Sequence, residues 1–423
     1  MSRIAKRTVA IIAAAAATGL VLAGCSTDTS EGGEDGDTVL TMSGWADDGI
    51  AEALIAQFEE DNPGVTIDYT GLPWPNILTQ INTELVSGTA SDIVVVFPGN
   101  GNPITAQTLA KGDYLADLSD SPWVSNYNDA NQAVMGADGK ILMGANAFTI
   151  IPAIYNTQAL EAVGATPPAT WSEVLDLCKT ATDNGKVAYA LAGVAGGNYH
   201  LTPYALTATL LYGPNPDFVA DQYAGDATFS DSEWNAALDQ YTELIDAGCF
   251  TADATGTALD IAQGQVAKGD ALGIITVSPQ ISTIQDMAPD GTTFETAAFP
   301  STDDPADTFL PVGLGAGYGV NAKSENIDLA KKFVDFYLSE AGLKIAVDNG
   351  SIYPSGPVEG YTPPEALAGV SDQVQSDKTV SFPDQTWPNA VVNDAYTTGL
   401  QTFIGGSTTA ATLLQQMDAA WNG

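Results

Sequence analysis

The stretch VLTMSGWADDGIAEALIAQFEEDNPGVTIDYTGLPWPNILTQINTELVSGTASDIVVVF, residues Val39–Phe97, decides the fold. Val39-Leu40-Thr41-Met42 is a strand candidate leading into Ser43-Gly44-Trp45-Ala46-Asp47-Asp48. Ile50, Leu54, Ile55 and Phe58 then recur at helical spacing, with Asp47 or Asp48 placed as N-cap. Asn62-Pro63-Gly64 stops that helix, and Val65–Tyr69 alternates like a half-buried strand. Ile77, Leu78, Ile81 and Leu85 mark a second helix, ended near Gly88. Ile93–Phe97 is a continuous apolar run, the signature of a strand buried on both faces. Strand and helix alternate throughout, which predicts an α/β layered domain with a largely parallel sheet.

The alternation continues toward the C-terminus. Lys140–Met143 reads as a strand after the turn Asp138-Gly139, and Ala271–Val277 as an apolar strand. Thr170-Trp171-Ser172-Glu173 and Ser230-Asp231-Ser232-Glu233 both have the spacing of capping boxes. The first opens the helix carrying Cys178. The second opens a helix with Trp234, Leu238, Tyr241, Leu244 and Ile245, closed by Gly248. Leu329, Phe333, Phe336 and Tyr337 share a helix face, and Ala410–Trp421 forms a terminal helix. Trp171, Trp234 and Trp421 lie on these helices as packing residues.

Working outward to the N-terminus, Arg3, Lys6 and Arg7 precede an apolar run from Val9 to Val21, which ends in Leu22-Ala23-Gly24-Cys25. A charged start, an apolar middle and small residues at the cut are the layout of an export signal. The run is shorter than the roughly 20 residues a spanning helix needs. Leu-Ala-Gly-Cys resembles the lipobox of bacterial lipoproteins. That implies residues 1–24 as signal peptide, Cys25 as a lipidated N-terminus, and an extracytoplasmic protein held to the membrane by acyl chains (palmitate) alone. Residues 25–37 are small, polar or acidic after Cys25 and read as a flexible tether.

The 423-residue chain carries 13 basic and 52 acidic residues, a net charge of −39. Such a field disfavours nucleic acid and anionic lipid surfaces as partners. Both arginines, Arg3 and Arg7, lie in the signal. The remainder therefore lacks the usual bidentate clamp for carboxylate or phosphate. One histidine, His200, and two separated cysteines beyond Cys25 cannot build a common zinc site, so no metal or cofactor is expected. No Gly-x-Ser-x-Gly elbow is present to pair with His200.

Several segments then occur in a familiar order: Trp45-Ala46-Asp47; Phe58-Glu59-Glu60-Asp61-Asn62-Pro63-Gly64-Val65; Leu78–Gly88 running into Ser91-Asp92-Ile93-Val94; Asp138-Gly139-Lys140-Ile141; Ile154-Tyr155-Asn156; Pro168–Glu173; and Gly317-Tyr318-Gly319-Val320 before a helix ending near Leu338–Gly342. In this order they resemble the extracellular solute-binding proteins of carbohydrate ABC importers, the group of maltose-binding protein. The match runs over nearly the whole chain after Cys25.

The resemblance implies a non-enzymatic, monomeric protein of two α/β lobes joined by a three-crossing hinge, with ligand in the interlobe cleft. It would capture a sugar or oligosaccharide by closing and deliver it to the transmembrane subunits of an ABC permease. The expected crossings are near residues 148–152, 312–317 and 355–360. The N-lobe would hold 38–149 plus 314–356, and the C-lobe 150–313 plus 357–423. Cys178 and Cys249 would pair in the oxidising compartment within the C-lobe. Relatives often carry a Gly-Gly-Ser-Trp turn where this chain has Thr276-Val277-Ser278-Pro279-Gln280.

Sugar binding needs flat apolar faces against pyranose C–H groups and polar side chains in the ring plane. Candidate groups of that kind are Trp45 with Asp47 and Asp48, Trp74 between two prolines, and Phe97 with Asn100 at a strand's carboxyl end. In the other lobe they are Asn198, Tyr199 and His200 after a Gly-rich turn, Gln280, and Trp387 with Asn389. Trp387 and Tyr199 are expected to supply the main stacking faces, opposed by Trp45 or Trp74. The acidic excess also admits a cationic ligand such as a polyamine. A secreted glycan hydrolase would need two carboxylates placed across a cleft, which 52 acidic residues neither identify nor exclude.

Overall fold

The computed structural model describes residues 38–46, 48–73 and 76–423. The export signal, Cys25, the tether, Asp47 and Trp74 lie outside the described residues. Strands are β1 Thr38–Trp45, β2 Val65–Leu72, β3 Ile93–Val96, the short pair β4 Gly136–Ala137 and β5 Lys140–Ile141, then β6 Phe148–Ile150 and β7 Ala153–Asn156. They continue with β8 Val187–Tyr189, β9 Ala271–Ile275, β10 Phe294–Ala297, β11 Leu310–Leu314, β12 Gly317–Val320 and β13 Thr379–Val380.

Two four-stranded sheets form, in the orders β12-β3-β1-β2 and β10-β7-β9-β8. In the first, β1 runs parallel to both β2 and β3, and only β12 is antiparallel. β1 and β3 can be buried on both faces because helices cover them. Gly49–Asp61 buries Leu54, Ile55 and Phe58, and Asn76–Ser87 buries Ile77, Ile81 and Leu85. Phe58 meets Phe333, on the late helix Ile327–Tyr337, edge-on at 5.1 Å. The second sheet is mixed: β7 is antiparallel to β9 and β10, while β8 and β9 run parallel. Its core contains Trp234, Tyr241, Trp387 and Tyr396, all without exposed surface.

Three passages between the sheets lie side by side. β6 leads from the first sheet into β7 and pairs antiparallel with β11, which leads back into β12. Beside them Phe148 N–H donates to Tyr353 O at 2.8 Å, and Ser355 N–H donates to Asn146 O at 2.9 Å. The protein is thus a two-lobed α/β fold of the periplasmic-binding type, its lobes joined by a hinge of three passages.

Thr170 and Glu173 form the expected capping box. The second box does not form. Helix Trp234–Asp246 begins with Glu233 at its N-cap and no side-chain cap bond. The Ser230 hydroxyl donates instead to the Asp418 carboxylate of the terminal helix, because that helix packs against this corner. The strand expected over Lys140–Met143 shortens to Lys140–Ile141. A disulfide joins Cys178 and Cys249, both fully buried.

Candidate ligand cleft

In the first lobe, the carboxyl ends of the parallel strands place Trp45 and Phe97 together. Their rings meet edge-on at 5.7 Å, and both are half-buried. Tyr69 of β2 holds the end of β1 by donating its hydroxyl to Trp45 O at 2.7 Å. Asp48 is the N-cap of the first helix: its Oδ1 accepts from the N–H of Ile50 at 3.1 Å and of Ala51 at 3.0 Å. Burial holds its carboxyl above the usual range, while those two N–H donors pull the other way.

Asn100 is 5% exposed, and its polar atoms have partners. Its Oδ1 accepts from Thr108 Oγ1 at 2.7 Å and Lys111 Nζ at 3.4 Å. Its Nδ2 donates to Pro388 O of the second lobe. Asn100 is therefore a bridge between lobes in this structure, and its amide is not presented to a ligand.

In the second lobe, Asn198 ties together the ends of β8 and β9. Its Oδ1 accepts from Ala192 N–H at 2.7 Å, and its Nδ2 donates to Ala190 O at 3.2 Å and Ile275 O at 3.0 Å. Three of its four hydrogen-bonding positions are thus used by the backbone. Tyr199 is its neighbour in the chain, only 4% exposed, with its carbonyl accepting from Tyr241 Oη at 3.0 Å. Burial pushes its phenol up to about 12, and a hydrogen bond with Thr397 works against that. His200 is driven down to about 4 by burial, with a backbone hydrogen bond at Gly197 opposing. It is held neutral at pH 7. Gln280 opens helix Gln280–Met287, and its side-chain carbonyl accepts from Gln263 Nε2.

Trp387 and Asn389 depart most from expectation. Trp387 has no exposed surface. Tyr396, Tyr204 and Phe229 meet its ring edge-on at 5.6, 6.1 and 6.1 Å. It therefore offers no stacking face in this structure: helix Ala390–Ile404, which Asn389 begins, folds back over it. Asn389 caps that helix, accepting from Val391 N–H at 2.9 Å and Val392 N–H at 3.2 Å.

Residues absent from the sequence-based candidates complete the seam. Asn393 Nδ2 donates to Gly101 O at 3.1 Å, and Gln385 Nε2 donates to Leu314 O at 2.9 Å in the hinge. Asn393 and Thr397, four residues apart on one helix face, put Tyr199 within a turn of the contact between lobes. Asp384 is half-buried as a residue, yet its Oδ1 is sealed from solvent. Burial pushes its carboxyl up to about 6, against lowering hydrogen bonds from backbone N–H groups, its own first. The only sequence signal for this seam was the pair of glycines flanking Asn100.

The bacterial extracellular solute-binding protein model matches residues 44–344. The chain belongs to that family. This solute-binding protein is 25% identical over 330 residues to a Brucella abortus (strain 2308) protein named as a binding protein, covering 71% of this chain and 75% of that one. A family 1 extracellular solute-binding protein from Bifidobacterium longum subsp. infantis superposes with a TM-score of 0.69 at 19% identity, covering 92% of this chain and 99% of that one. A sugar transporter protein from Bacillus licheniformis, in complex with stachyose, gives 0.71 at 17% identity, covering 90% and 98%. The family is one of extracellular binding proteins and not of enzymes. No helix among the described residues is long and apolar enough to cross a membrane.

Proposed function

We propose that this solute-binding protein captures a sugar or oligosaccharide between its lobes, closes about the hinge, and delivers it to an ABC import permease as a monomer. Its lobes would comprise 38–149 plus 314–356 and 150–313 plus 357–423. Cys25 would carry the acyl chains that tether it outside the cell membrane. The observation that carries the reading is the Trp45–Phe97 pair, half-buried at the carboxyl edge of a parallel sheet. Ligands of open α/β sheets sit at that edge, and such rings offer the apolar face a pyranose needs. The stachyose held by the Bacillus licheniformis relative supports this choice of ligand class.

Asp47, Asp48 and Trp74 would line the same lobe's side. Tyr199, His200 and Gln280 would line the other. Affinity would come from stacking, hydroxyl hydrogen bonds and expelled water, with no covalent step. Titration calorimetry against a panel of oligosaccharides and spermidine tests this. Micromolar or tighter binding of one sugar class is expected. Spermidine binding with no sugar response, or turnover of an oligosaccharide, overturns it.

A further inference from the structure

We infer that Tyr69 and Tyr318 are positioning residues for the first lobe's ligand face: their hydroxyls converge over Gly44, hold the last peptide of β1, and so fix the Trp45 ring at the sheet edge. For its effect on binding the inference rests on the reading of Trp45 as a ligand face; its geometry does not depend on that reading.

The unequal ladders on the two sides of β1 explain why such a hold is needed. β1 pairs with β2 out to Trp45 opposite Leu72, but with β3 only as far as Ser43 opposite Val94. Ala46 N–H donates to Leu72 O at 3.0 Å, toward β2. The carbonyl of the same planar trans peptide, Trp45 O, therefore faces the other way, past the end of the β3 ladder. A backbone carbonyl in that place needs a partner from elsewhere. Tyr69 Oη supplies it, donating to Trp45 O at 2.7 Å. Tyr69 stands opposite Met42 in the register, and Met42 and Gly44 share a face of β1. The phenol therefore reaches Trp45 O by crossing β1 over Gly44.

Gly44 makes the crossing possible. A Cβ there would lie 2.5 Å from Tyr69 Oη and 2.6 Å from Tyr318 Oη, the second brought by β12 from the far side of β3. Gly44 is not among the positive-φ glycines, so the two hydroxyls and not the backbone bar alanine at this position. Tyr318 is 4% exposed, and its hydroxyl makes no well-formed hydrogen bond of its own but lies against that of Tyr69. Burial pushes both phenols above the usual tyrosine range, so each keeps its proton and Tyr69 stays a donor. The peptide after Trp45 is thus gripped on both sides. That sets the direction in which the Trp45 ring leaves the strand to meet Phe97.

The experiment uses the full-length protein in detergent micelles, labelled with fluorotryptophan and followed by fluorine NMR. The Trp45 resonance is assigned by its loss in Trp45→Phe, and Trp234, in the second lobe's core, serves as the control. Tyr69→Phe removes only a hydroxyl. It should displace the Trp45 resonance, leave that of Trp234 in place, and lower the melting temperature by about 2–4 °C, the scale of one hydrogen bond. Gly44→Ala keeps both hydroxyls but leaves them no room, and should displace the Trp45 resonance at least as far. Tyr318→Phe should displace it less, since that hydroxyl acts through Tyr69. Calorimetry with maltotriose, raffinose and stachyose reads the effect on binding: for a sugar that binds, Tyr69→Phe should weaken affinity roughly threefold to tenfold. A Trp45 resonance unmoved in Tyr69→Phe overturns the inference, whatever the melting temperature does. So does an affinity that falls for Trp45→Ala and not for Tyr69→Phe. A resonance that moves while sugar affinity is untouched in both variants keeps the positioning and removes Trp45 from the ligand face.

Discussion

The aromatic corner of the first lobe and that of the second carry the same local signature in sequence and opposite fates in space. Trp45 and Phe97 sit beside Asp48 and Asn100; Trp387 and Tyr199 sit beside Asn389 and Asn198. The first pair remains half-buried at a sheet edge, whereas Trp387 is fully covered and Tyr199 only 4% exposed. The cause is where the helix that follows comes to rest. Helix Gly49–Asp61, which begins four residues after Trp45, turns Ala51, Leu54, Ile55 and Phe58 into the core and leaves the ring at the strand's end half-buried. Trp387 instead precedes a 15-residue helix that packs against the terminal helix and closes over it. An aromatic next to a polar residue keeps an open face only where the following helix does not pack onto its ring, as Tyr396 packs onto Trp387.

Substitutions in the two lobes put this contrast at risk. The largest effect is expected for Trp387→Ala, which should cost about 3–5 kcal/mol of unfolding free energy in urea, the range for a fully packed aromatic. A variant as stable as wild type would return Trp387 to the cleft.

The Cys178→Ala, Cys249→Ala double variant should lose about 3–4 kcal/mol by the same assay, since the bridge closes a 71-residue separation. Thiol titration of the denatured, unreduced wild-type protein should find neither cysteine free.

The second lobe's sealed corner should also show itself in pH. Folding raises the Asp384 carboxyl to about 6, so its ionisation penalises the native state, and stability is lost as pH rises from about 4 to about 6. Tyr204, Tyr212 and Tyr396 face it and remain neutral throughout that range. Folding lowers His200 to about 4, so stability is lost as pH falls from about 6.5 to about 4. The two trends oppose each other. Asp384→Asn should therefore stabilise the protein at pH 7 by about 2–3 kcal/mol and steepen its decline on acidification. His200→Gln should make stability rise as pH falls from 6 to 4. Parallel pH profiles for wild type and both variants would show that neither group is sealed.

Trp45→Ala should weaken binding of the sugar found in the calorimetric panel by about 1–3 kcal/mol while changing stability less than Trp387→Ala does. The reverse pattern would make Trp45 a core residue and remove the contrast between lobes. The smallest effect is expected for Asn389→Ala, about 1 kcal/mol of stability from a lost helix cap, with sugar affinity unchanged. Reduced affinity at unchanged stability would give Asn389 a ligand role.

Legibility varied along the chain for physical reasons. The α/β alternation over Val39–Phe97 is local, since strand period, helix period and the stop Asn62-Pro63-Gly64 each act within a few residues. β1, β2 and β3 appear where it places them. The Thr170 capping box is also local and forms. The Ser230 box has the same spacing and fails, because Asp418 arrives from 188 residues away and takes the Ser230 hydroxyl. The hinge was legible only through the order of family segments, since no strand in it announces which lobe it joins. The seam was nearly silent: Asn393 and Gln385 look like ordinary helix and loop residues until Gly101 and Leu314 lie against them.

By itself the sequence determined what periodicity and composition can carry: the layered α/β class, local helix ends such as Thr170 and Asn62-Pro63-Gly64, the acidic field, and the lack of arginine beyond Arg7 that disfavours an anionic ligand. Tertiary structure alone decided which aromatics keep an open face and which asparagines are spent on backbone. Exposure and hydrogen-bond partnership are properties of long-range packing. Residues hundreds of positions apart, such as Asn100 and Pro388, acquire them only when the lobes meet.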